Sequence, residues 1–128
     1  MTLAIVCIAL LGLLVFGLGL GVSMTRWRRG RAVGFDDDPA DPLHKWVRAH
    51  GNATEYAPMM GVLILLVGRS DPPAWAAAVI VAVTASRYAH AAGVLMSRTL
   101  AEAQVLRALG AAGTYLGGLA LCVAALLG

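Results

Sequence analysis

Long apolar runs alternate with short polar breaks along this chain, and the spacing of those breaks predicts four helices. Thr2 to Met24 carries no charge and is long enough to cross a hydrocarbon core of about 30 Å. The basic cluster Arg26, Arg28, Arg29 and Arg31 follows this run instead of preceding it, the reverse of a cleaved leader, so an uncleaved first span is expected over residues 2–24. The second helix opens at Asp41-Pro42, a capping residue followed by a proline at the first helical position, where its missing N–H costs nothing. It extends over 42–67, closed by Gly68 and the turn Arg69-Ser70-Asp71. About 26 residues at 1.5 Å each span about 40 Å, so its polar first half should reach through the headgroup layer. Pro58 removes the bond to the Thr54 carbonyl and predicts a bend there. Asp71 and Pro72 repeat the start signal for a third span over 73–96, and a fourth covers 103–127. The expectation is a single all-α domain over 1–128, an integral membrane four-helix bundle.

Composition agrees with that pattern. The chain is 59% apolar and 13% charged, with mean hydropathy +0.77, whereas a soluble domain carries about 25% charged residues. Cys7 and Cys122 both lie in apolar runs and read as small packing residues, with neither metal spacing nor a disulfide framework. A net charge of +3 does not point to nucleic acid, because the arginines gather at the ends of the spans, where they set topology and meet lipid headgroups. Loop 1 holds Arg26, Arg28, Arg29, Arg31 and Lys45, and loop 3 holds Arg98 with Arg107 close by, against Arg69 on the other side. Loops 1 and 3 are therefore expected in the cytoplasm and both termini outside it. Gly17 with Gly21, and Gly113 with Gly117, have the spacing that lets helix backbones approach, either within the bundle or between copies.

Chemistry concentrates on the second helix. Arg48, Asn52, Glu55 and Tyr56 stand at i, i+4, i+7 and i+8, one helical face. Charged groups at membrane depth cost about 2.5–3.5 kcal/mol each to insert, so they have partners or a purpose. Arg87 and His90, one turn apart on the third helix, belong to the same level, and the six side chains are expected to converge on one cytoplasmic-side cavity. A closed interhelical network of paired charges is the competing reading. His44, His50 and His90 form no recognisable metal triad, and no metal is expected. Arginines beside Asn, Glu and Tyr suit a small zwitterion with carboxylates and an amine, and an arginine near a thiol favours its thiolate.

Arg48-x-x-x-Asn52-x-x-Glu55-Tyr56-x-Pro58 ahead of an apolar run resembles the signature of the membrane-associated proteins in eicosanoid and glutathione metabolism, the MAPEG family. Arg87-x-x-His90-x-x-Gly93 is similar to the third helix of its small bacterial inner-membrane members. The resemblance implies a homotrimer in the inner membrane, with glutathione bound between subunits on the cytoplasmic side. It implies Arg48, Asn52, Glu55 and Tyr56 as glutathione contacts, with Arg87 and His90 completing the pocket. It further implies a thiol-activating arginine near the start of the fourth helix, for which Arg107 is the candidate and Arg98 the runner-up. An arginine at the end of the first helix would match Arg28 or Arg29. Val94 departs from the tyrosine that the leukotriene-forming synthases carry. The Ala-, Gly- and Arg-rich, Lys-poor composition points to a bacterium rather than to eicosanoid synthesis. Two functions remain open: a glutathione transferase or peroxidase acting on small lipophilic electrophiles, and a non-catalytic membrane protein holding a thiol, a lipid headgroup or a partner helix. A transporter with Glu55 and His90 as proton relay is disfavoured by the single carboxylate at membrane depth and the lack of an inverted repeat.

Overall fold

A computed structural model describes residues 1–69 and 71–127; Ser70 of the anticipated turn lies outside the described residues. Four helices follow in order, α1 (Thr2–Arg28), α2 (Pro42–Arg69), α3 (Ala74–Met96) and α4 (Val105–Leu127), with no strand among the described residues. α1, α3 and α4 are long and apolar enough to cross a membrane. α2 falls short on composition, because its first half carries the polar residues while its second half, from Met59, is apolar.

Helix ends differ from the expected ones for local reasons. α1 runs past Met24 to Arg28, since arginines favour the negative end of the helix dipole. It stops where Gly30 takes a positive φ of 64° and Arg31 N–H reaches back to the Arg26 carbonyl, a turn that glycine adopts without steric cost. Asp71 does not cap α3: the capping position is Pro73, whose carbonyl accepts from the N–H groups of Ala76 and Ala77. α4 begins at Val105 because the Gln104 side chain accepts the Arg107 N–H at 2.6 Å. α2 continues unbroken through Pro58.

Asp41 does cap α2, its Oδ1 accepting the His44 N–H at 2.9 Å while Oδ2 pairs with Arg29. Burial alone would push the Asp41 carboxyl up, but the hydrogen bonds from Arg29 and His44 and the Arg29 charge hold it below the ordinary carboxylate value. Its stabilising contribution is therefore complete above the ordinary carboxylate range and fades as pH falls through the lowered value. Asp41→Ala is expected to cost about 1 kcal/mol of stability, read as a lower thermal midpoint at neutral pH, with the gap to the parent protein closing in acid.

α2 and α3 form the centre. α1 packs on both and α4 packs on both, while among the described residues the backbones of α1 and α4 stay apart. Gly68 sits against Ala4 and Gly21 against Trp46, so α1 and α2 run antiparallel. Gly113 sits against Ser86 and Gly117 against Val83, closing α4 on α3; that glycine pair therefore serves packing inside the chain, whereas Gly17 meets nothing among the described residues. On α2, Ala49, Ala53 and Ala57 form a buried stripe one turn apart, small enough for α1 and α3 to close over it. The core divides into an apolar half around Met60, Ile64, Ile80 and Leu121 and a smaller one around Leu18, Ala49, Ala53 and Val94. Outward faces of α1 and α4 expose Leu13, Phe16, Leu116, Leu119 and Leu126, as a lipid-facing surface requires.

Loops 1 and 3 meet at the end of the bundle opposite the termini. Leu100 N–H donates to the Pro39 carbonyl at 2.9 Å, and Lys45 Nζ donates to the Ser97 carbonyl at 3.1 Å.

Candidate functional site

The site is built where α3 and α4 approach most closely. A Cβ on Gly93 would run into the backbone of Arg107, and one on Gly110 into the backbone of His90. Only glycine lets the two backbones touch at both points, and the contact fixes the start of α4 against the last turns of α3. Between this pair and α2 lies a cavity of about 260 Å³ lined by Arg48, Asn52, His90, Val94, Leu100 and Arg107.

Three of the four polar groups there, Arg107, His90 and Asn52, are held from behind. Arg107 donates from Nη1 to the Leu100 carbonyl at 3.2 Å and from Nη2 to the Glu102 carbonyl at 2.7 Å. Each of these nitrogens carries a second N–H, so donors remain for a ligand. His90 Nδ1 lies 3.0 Å from the Arg107 carbonyl oxygen. Asn52 Oδ1 accepts from Arg87 Nη2 at 2.7 Å. Arg48 is exposed and makes no ion pair among the described residues.

Arg87 is the most deeply placed charge, only 1% exposed. Its guanidinium also reaches the Asn52 carbonyl at 3.2 Å and Thr114 Oγ1 at 3.1 Å, and its carbon lies 5.2 Å from the centre of the Tyr56 ring. No carboxylate pairs with it among the described residues. Arg87 thus braces the site from below instead of lining it.

The six expected side chains consequently do not share one cavity. Arg48, Asn52 and His90 come together and are joined by Arg107. Glu55 and Tyr56 open instead into a groove of about 310 Å³ between α2 and α4, with Met59, Leu63, Tyr115 and Cys122. There the Tyr56 and Tyr115 hydroxyls are 3.1 Å apart. Arg87, touching Asn52 on one side and Tyr56 and Thr114 on the other, is the partition. Arg98 is exposed and lines neither space, and the same holds for Arg28; Arg29 is engaged with Asp41.

Thr114, Tyr115 and Leu100 take part without having been singled out from the sequence. Thr114 had a usable signal: it stands seven residues after Arg107, two helical turns along the same face. Leu100 had none, since only the fold of loop 3 brings it to the cavity.

Two arginines, an amide and an imidazole around one small space favour an anionic ligand and the thiolate form of a thiol. The family model described as the MAPEG family matches residues 4–127. No curated protein and no solved structure matches the chain.

Proposed function

Because the chain belongs to the MAPEG family, we propose that it binds glutathione in the cavity of Arg48, Asn52, His90 and Arg107 and either conjugates it to lipophilic electrophiles or oxidises it at the expense of lipophilic hydroperoxides, delivered through the bilayer. The observation that carries this reading is the convergence of Arg48 and Arg107 on one cavity beside Asn52 and His90. Arginine forks suit the carboxylates of a peptide thiol, and the cationic lining lowers the energy of the thiolate that attacks. Family membership likewise supports a membrane protein of glutathione and eicosanoid metabolism. The positive-charge asymmetry of the loops favours an inner-membrane protein with this cavity on the cytoplasmic side, where such a thiol is available.

The assembly we propose is a homotrimer. Arg48 and Glu55 are exposed charges on α2 without ion-pair partners among the described residues, and a neighbouring copy would shield them from lipid and supply the ligand's remaining contacts.

A thermal-shift titration of the detergent-solubilised protein tests the reading. Glutathione at a hundred times its Kd should stabilise the fold by about 2.7 kcal/mol, and Arg48→Ala should require a higher concentration for the same shift. Stabilisation without turnover of any electrophile would assign a binding role alone. Absence of a shift with glutathione and with other low-molecular-weight thiols would overturn the proposal.

A further inference from the structure

We infer that His90 takes the proton of the bound thiol and returns it to the electrophile, a role that rests on the thiol-binding reading above. The tautomer follows from one contact. His90 Nδ1 lies 3.0 Å from the Arg107 carbonyl oxygen, and a carbonyl can only accept, so Nδ1 carries the hydrogen. A neutral imidazole then has its basic lone pair on Nε2. His90 lines the cavity, Nδ1 is occupied by the carbonyl, and no hydrogen bond engages Nε2 among the described residues. Nε2 is therefore the nitrogen available to a ligand.

Elimination among the lining residues points the same way. Arg48 and Arg107 are permanently charged donors without an acceptor, Asn52 offers an amide of negligible basicity, and Val94 and Leu100 offer nothing polar. The arginines can stabilise a thiolate but cannot receive its proton. His90 is the one lining residue with a basic lone pair.

The charges facing His90 are Arg48 from α2, Arg87 one turn away on α3 and Arg107 from α4; among the described residues no carboxylate lines the cavity. The two arginines that line the cavity favour the thiolate left when the proton has moved. In an addition reaction the step balances without any further reactant. The S–H proton passes to Nε2 as the sulfur forms its bond to the electrophilic carbon. The electron pair displaced onto the acceptor takes that proton back from the imidazolium, and neutral His90 is regenerated. The close seating of the His90 backbone on Gly110, together with the bond to the Arg107 carbonyl, fixes the ring for both transfers.

His90→Asn keeps an N–H donor near the place of Nδ1 and removes the basic nitrogen; His90→Ala leaves room for added imidazole. The full-length protein and both variants would be compared for glutathione binding by thermal titration and for conjugation of an activated alkene across pH. His90→Asn is expected to bind glutathione within a few-fold of the parent, to turn over about 100-fold more slowly, and to show the acid limb of its pH profile moved upward, towards the titration of the thiol itself. Added imidazole is expected to restore part of the His90→Ala rate. A parent protein that binds and turns over, with His90→Asn matching its rate and pH profile, or no imidazole rescue of His90→Ala, overturns this role and leaves the functional reading standing. A parent protein that binds no thiol overturns both.

Discussion

Replacing Arg107 by alanine is expected to slow glutathione conjugation by about 100-fold or more, whereas Arg98→Ala should leave the rate within a factor of about two. The first figure is what removal of one positioned donor to a developing anion costs elsewhere, about 2.7–4 kcal/mol of barrier. Arg107 lines the cavity with donors to spare, and its two guanidinium ends are fixed on the Leu100 and Glu102 carbonyls. Fixing the side chain beforehand removes the reorganisation that a mobile arginine would need at the moment of reaction. Arg98 is exposed in loop 3 and touches neither space. Initial rates with a generic electrophile at saturating glutathione check both variants together. Equal rates for Arg107→Ala and the parent protein would remove Arg107 from the chemistry, and a large loss in Arg98→Ala would exchange the two assignments. The effect should appear in turnover more than in glutathione affinity, because the interaction strengthens as charge develops on sulfur.

Arg87→Ala is the second large effect, and it should appear first in stability. The substitution withdraws the donors to Asn52 Oδ1, the Asn52 carbonyl and Thr114 Oγ1 at once, and the loss of the donor to the buried Thr114 hydroxyl alone costs about 1–3 kcal/mol. It also opens a void in the middle of the bundle. Asn52 loses the contact that orients it into the cavity, so glutathione affinity is expected to fall by about tenfold, the worth of one charge-assisted hydrogen bond. Arg87→Met separates these two consequences. Methionine refills the volume and removes a buried charge that has no carboxylate partner, so much of the thermal midpoint should return, while the affinity stays low. Thermal unfolding in detergent and the glutathione Kd, measured on both variants, decide the matter. Full affinity in Arg87→Met would show that Asn52 does not depend on Arg87.

Much of the molecule was legible in its residue pattern. Uninterrupted apolar runs can satisfy their backbone in a bilayer only as helices, so the four elements followed from hydropathy and from the Asp41-Pro42 start signal. Arg48 and Asn52 were legible as cavity residues because a spacing of four places them on one face, and the family resemblance added Arg107. Asp71 misled, since an identical Asp-Pro signal capped α2 but not α3, where the following Pro73 displaced the helix start by a residue.

Glu55 and Tyr56 show where helical spacing stops being informative. They share a face with Arg48, yet they stand seven and eight residues further on, about 11 Å along the axis. Whether that face borders one cavity or two depends on what a neighbouring helix inserts halfway, and there α3 inserts Arg87. The sequence by itself determined that the chain forms apolar helices, where their ends fall to within a few residues, and which direction the polar groups of α2 face; these depend on local hydropathy, caps and the helical repeat. Only the tertiary structure decided that Arg87 divides the polar face, that His90 is tied to the Arg107 carbonyl, and that Leu100 reaches the cavity. The last two depend on Gly93 and Gly110 bringing the backbones of α3 and α4 into contact, the first on how α3 packs against α2, and no local pattern encodes which partner a residue will meet.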